Sequence, residues 1–106
     1  MTAPVNKRLA FLEKLTAEGS VDPFAWYGLG QEYRNLERYD EALQTFTTLR
    51  TRNPEYVAVY LMAGQMLEKI GRKDDAREWL EAGITAARAK GDSHAQGELE
   101  SALSAL

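Results

Sequence analysis

Two runs of sequence decide the fold: Trp26-Tyr27-Gly28-Leu29-Gly30-Gln31-Glu32-Tyr33 and, after a short polar break, Tyr39-Asp40-Glu41-Ala42-Leu43-Gln44-Thr45-Phe46. Large apolar residues recur at Trp26, Leu29, Tyr33 and Leu36, then at Tyr39, Ala42, Leu43, Phe46 and Leu49. Steps of three and four place each set on one face of a helix, whereas a strand would alternate every second residue. The punctuation agrees. Asp22 can accept from the unpaired N–H groups of a helix start, and Pro23 suits the first helical position, where its missing N–H matters least. Outward in both directions the same pattern continues. Val57, Tyr60, Leu61, Ala63, Leu67 and Ile70 form one stripe; Ala76, Leu80, Ile84 and Ala87 form another. A leading segment carries Val5, Leu9, Leu12 and Leu15, and a tail carries Ala95, Leu99, Ala102, Leu103 and Leu106. Asn53-Pro54, Gly71 and Gly91-Asp92 separate the pieces. The reading is six helices, no strands, and connections short enough to force antiparallel neighbours.

Shifted against itself by about 34 residues, a period of helical-hairpin repeats, the sequence pairs Gly30 with Gly64, Gln31 with Gln65, Arg38 with Arg72, Asp40 with Asp74 and Ala42 with Ala76. Trp26 aligns with Tyr60, Leu36 with Ile70, Glu41 with Asp75 and Phe46 with Leu80. Turn residues align along with the apolar stripes, which amphipathicity alone would not produce. Gly30 and Ala42 are small where two helices of one hairpin must cross, and Trp26, Tyr33 and Phe46 supply the bulk around that crossing.

These residues resemble the tetratricopeptide repeat (TPR) family. Trp26, Leu29, Gly30, Tyr33, Ala42, Phe46 and Pro54 meet its signature in the first repeat, with Leu49 in place of a usual alanine. The second repeat is degenerate, keeping Gly64, Gly71 and Ala76; Arg88 stands where the closing proline would be, so its second helix should continue to Lys90. The resemblance implies an all-α, right-handed solenoid of antiparallel hairpins. One domain over residues 1–106 is expected, with a leading helix at 4–18, repeats at 23–54 and 57–90, and a C-terminal capping helix at 92–106. One hairpin cannot bury its whole apolar face, so the flanking helices should cover the open sides. Gln96, Glu98, Glu100 and Ser104 would form the solubilising outer face of the cap.

By the same resemblance, the function is attachment to another protein. The first helices of successive TPR hairpins line a concave groove that holds a peptide or helix. The groove positions here would be Phe24, Tyr27, Gln31, Arg34 and Asn35 in the first repeat, with Gly28 opening the wall. Ala58, Leu61, Met62, Gln65, Glu68 and Lys69 would follow in the second. Aromatics offer contact area at low entropic cost and amides can bond a peptide backbone. Tyr27 has a second reading, as packing against a neighbouring helix. A subset of the family grips the carboxylate end of chaperone tails with Lys and Asn at set positions. Tyr27 and Gln31 stand at the first two of these, so that clamp is absent. The alternative is a self-associating scaffold subunit, a homo-oligomer whose groove holds a neighbouring copy.

Other chemistries find little support. With 44% hydrophobic and 27% charged residues the chain is neither disordered nor membrane-embedded in character. A net charge of −3 argues against a dedicated nucleic-acid binder. Zero cysteines and one histidine, His94, leave no usual zinc site and no thiol nucleophile. Gly28-Leu29-Gly30 lacks the preceding strand and third glycine of a dinucleotide fingerprint. No catalytic residue, metal or cofactor is therefore expected, and no signal or membrane-spanning segment, which makes the cytoplasm the default compartment. Arg50-Thr51-Arg52, Arg72-Lys73 and Arg88-Ala89-Lys90 read as solvated helix ends. Trp79 either packs beneath the tail helix or stands half-exposed on the convex side, where it would mark a self-association patch; burial is the commoner fate of a large aromatic.

Overall fold

The computed structural model describes residues 6–19 and 21–106. Pro4 and Val5, expected at the head of the leading helix, lie outside the described residues, as does Ser20. Six helices follow in order: α1 (Lys7–Ala17), α2 (Pro23–Asn35), α3 (Tyr39–Arg52), α4 (Ala58–Lys69), α5 (Lys73–Lys90) and α6 (Ser93–Ser104). The described residues contain no strand. The chain divides into two compact units, Met1–Thr48 and Leu49–Leu106, with the boundary falling within α3.

In the first unit, side-chain caps set the starts of α1 and α2. Asn6 Oδ1 accepts from the Leu9 N–H at 2.9 Å, and Asp22 Oδ1 accepts from the Phe24 N–H at 3.0 Å, with Pro23 in the first turn. Leu9 and Leu12 turn inward from α1. Gly28 is buried and meets α1, since a Cβ there would lie 3.5 Å from Leu12 Cδ1. It serves α1–α2 packing, which corrects its expected place in a groove wall. Glu32 ties the two helices again, bonding Arg8 at 2.8 Å and the Asn6 amide at 3.3 Å. Two positions further along α2 from Gly28, Gly30 receives the fully buried Phe46 from α3.

The helix ends repeat with the sequence. The Arg38 N–H donates to the Tyr33 carbonyl and the Glu37 N–H to the Arg34 carbonyl, both at 2.9 Å. One repeat later the Arg72 N–H donates to Leu67 at 2.8 Å and the Gly71 N–H to Glu68 at 3.0 Å. This is the Schellman end of a helix, whose turning residue takes a left-handed conformation. Gly71 adopts it at φ 83°, whereas Glu37 adopts it at φ 60°, as a non-glycine residue. Each turn then launches the next helix with an arginine paired to an acid three residues on: Arg38 with Glu41 at 2.6 Å and Arg72 with Asp75 at 2.8 Å.

In the second unit Leu67, Leu80, Leu99 and Val59 are fully buried, with Leu80 seated over Gly64. A further glycine, Gly83 on α5, takes Tyr60 from α4 and Leu99 from α6, at 2.5 and 2.8 Å from an added Cβ. That notch fixes where α6 lies. Trp79 is buried at 6% exposure. Its ring lies 6.0 Å from that of Tyr60, and the Arg50 guanidinium sits 4.6 Å above it. Arg50 also forms two bonds to Glu78, at 2.7 and 2.8 Å. Arg50 is thus a structural residue, not the solvated helix end its sequence neighbourhood implied.

Candidate functional site

The expected groove residues are best followed unit by unit. In the first, Phe24, Tyr27, Gln31, Arg34 and Asn35 recur along one face of α2. Phe24 stands out at 65% exposure. Tyr27 and Gln31 are half-buried. The Tyr27 ring lies 6.4 Å from that of Phe46, so it leans on the same aromatic that fills the Gly30 socket. Arg34 donates to Asn35 Oδ1 at 2.9 Å, joining the last two positions at the end of the helix.

The second unit carries a formed cleft. Leu61 and Gln65, one turn apart on α4, face α6 across an open depression of about 730 Å³. The opposite wall is Ser93, His94, Gly97, Glu98, Ser101 and Ala102. His94 Nε2 stands 3.0 Å from Glu98 Oε1, and both side chains are exposed. Met62, Glu68 and Lys69, expected at the same face, are not among the lining residues. Glu98, exposed as expected of the outer face of a cap, also borders this cleft. The sequence did carry a signal for this wall: Ser93, Gly97 and Ser101 recur every fourth residue, opposite the apolar stripe of Ala95, Leu99 and Leu103.

A smaller crevice of about 250 Å³ opens between α2 and α3, floored by Trp26, Leu29 and Tyr33. Tyr33 and Glu41, two of its polar residues, are already engaged. The Tyr33 hydroxyl donates to Glu13 Oε2 at 2.7 Å, and the Arg38 guanidinium covers the Tyr33 ring at 4.8 Å. Glu41 holds Arg38 with two bonds of 2.6 Å. Burial, and then the bond to Glu13, push the Tyr33 hydroxyl up to about 12, so it stays protonated and acts as a donor. Among the described residues no three His, Asp or Glu side chains gather as a metal would require. No helix there is long and apolar enough to cross a membrane.

Comparison with known proteins places this architecture. The tetratricopeptide repeat family model matches residues 27–93. The chain belongs to the tetratricopeptide repeat family. A TPR repeat-containing protein of Pseudomonas aeruginosa is 27% identical over 88 residues, covering 83% of this chain and 84% of that protein. The crystal structure of a tetratricopeptide repeat domain protein from Salinibacter ruber is 35% identical over 77% of this chain and 91% of its own, with a TM-score of 0.70. The solution structure of a protein from Bordetella parapertussis covers 97% of this chain and 86% of its own at 28% identity, with a TM-score of 0.76. TPR domains are in general protein-interaction modules, and no catalytic family is indicated.

Proposed function

We propose that this TPR chain holds a peptide or helix of a partner protein against the exposed faces of its repeat-first helices. The observation that carries this reading is the cleft in the second unit. Leu61 and Gln65, both expected as groove residues, border open space with a second wall facing them. Leucine offers apolar area there, while the Gln65 amide can both donate to and accept from a peptide backbone. In the first unit Phe24 supplies an exposed aromatic and Gln31 a further amide. The acidic balance, a net charge of −3, disfavours a nucleic acid as the partner.

The test is affinity capture from native lysate with mass identification. Wild type is compared with the Leu61→Ala/Gln65→Ala and Tyr27→Ala/Gln31→Ala variants. The reading requires a partner whose capture drops at least tenfold in one of the two double variants. Capture unchanged in both, with folding intact, contradicts it.

A further inference from the structure

Five glycines of this chain lie inside helices, and four of them have a packing partner. Gly28 meets Leu12, Gly30 meets Phe46, Gly64 meets Leu80, and Gly83 meets Tyr60 and Leu99. Gly97 is the exception: an added Cβ would find nothing within 4 Å. It lies in the middle of α6, exposed, where glycine weakens a helix by about 0.5–1 kcal/mol relative to alanine. Among the described residues nothing packs against it. It also lines the 730 Å³ cleft, beside Glu98 and across from Leu61. In this protein, a glycine on a helix face is where a bulky side chain of a neighbouring helix is received.

The chain also displays bulky side chains that its own fold does not receive. Phe11 is 60% exposed on α1. Lys7 and Lys14, four residues before it and three after, are exposed on the same helical face. This ridge is apolar at its centre and cationic on both sides. The cleft is its counterpart, with apolar Leu61, an empty position at Gly97 and the exposed Glu98 carboxylate, whose Oε1 lies 3.0 Å from His94 Nε2. A lysine on either side of the phenylalanine lets the pair with Glu98 form for either direction of the docked helix.

We propose that the α4–α6 cleft seats α1 of a second copy of this chain, with Phe11 over Gly97 and a flanking lysine against Glu98. This rests on reading the cleft as an attachment surface and specifies its occupant. The donated face and the receiving face differ, so each contact joins the ridge of one copy to the cleft of another, in a closed or an open assembly.

The experiment is sedimentation velocity across the micromolar to millimolar range on four proteins: wild type, Phe11→Asp, Gly97→Leu and Glu98→Lys. All three positions are exposed, and circular dichroism checks that each variant keeps its helices. Wild type should associate as concentration rises, while each variant stays at the monomer mass of 11.9 kDa. An equimolar mixture of Phe11→Asp and Gly97→Leu should recover a dimer and nothing larger, because one intact ridge meets one intact cleft. Glu98→Lys guards against a Gly97 variant that fails to fold. Wild type that remains monomeric throughout overturns the proposal, as do single variants that associate like wild type or a mixture that stays monomeric. None of those failures would affect partner capture through Leu61 and Gln65, so the two readings are judged separately.

Discussion

Gly30 and Phe46 fit as socket and knob: a Cβ on Gly30 would lie 2.6 Å from Phe46 Cδ1, and Phe46 is fully buried, so its ring has nowhere to go. Gly30→Ala gains helix propensity but overpacks a closed site, and the overpacking term is the larger. We expect it to lose about 1–3 kcal/mol in urea denaturation. Gly97→Ala makes the same chemical change where no neighbour stands within 4 Å. At low protein concentration it should gain about 0.5–1 kcal/mol. Equal effects at both sites would contradict the packing assigned to Gly30.

Glu37 and Gly71 occupy the same turn of successive repeats, at φ 60° and 83°. Left-handed backbone is unfavourable for glutamate by about 1–2 kcal/mol, and glycine forfeits part of that difference through its larger unfolded-state entropy. Glu37→Gly should therefore raise stability by about 0.5–1 kcal/mol. Gly71→Ala should lower it by about 1 kcal/mol. Paired thermal melts of the two variants check the opposite signs.

Tyr33 links pH to stability through its burial and its bond to Glu13. Its ionisation is displaced upward from 10.0 to about 12 in the folded chain, so the fold favours the protonated phenol. That contribution is fully present below pH 10, the unfolded value, and is lost as pH rises toward 12. Burial raises Tyr60 in the same direction, so Tyr33→Phe should reduce the alkaline loss of stability without abolishing it. At neutral pH the same variant should lose about 1 kcal/mol with the hydrogen bond. Denaturation midpoints measured from pH 8 upward, bracketing roughly the unperturbed tyrosine range, test both parts.

Arg50 holds Glu78 and covers the rings of Trp79 and Tyr60, at 4.6 and 5.4 Å. Arg50→Ala should lose about 1–2 kcal/mol, because ring cover is lost along with the ion pair. Glu78→Gln should lose less than about 1 kcal/mol, since exposed pairs are screened by solvent. Arg50 holds the Glu78 carboxylate below its ordinary value. The pair's contribution is therefore present above the ordinary glutamate range and is lost as pH falls through the lowered value. Acid titration of wild type against Glu78→Gln should show a shallower acid slope in the variant.

The helices were legible in the sequence because their signals are local: a stripe every three or four residues, Asp22-Pro23 at one start, Gly71 and Gly91 at two ends. Glu37 was not, because nothing local marks glutamate for left-handed backbone; only its alignment with Gly71 reveals it. Arg50 looked like a solvated cation because its partner, Glu78, sits on another helix. Trp79 is buried, as its type suggests, but beside Tyr60 and Arg50, since the end of α3 supplies a cation that periodicity cannot see. The cleft was half legible. Leu61 and Gln65 came from the repeat register, whereas the α6 wall depends on Leu99 entering the Gly83 notch, a contact between helices that the register does not specify.

Attachment of a partner through the repeat-first helices is the mode of binding proposed for this chain. It is tested most directly by placing a photoreactive residue at Leu61, and separately at the exposed Arg77 of α5, then irradiating each protein in native lysate. We predict a discrete cross-linked partner at position 61 and none at position 77. The same cross-link at both positions, or at position 77 alone, contradicts the account.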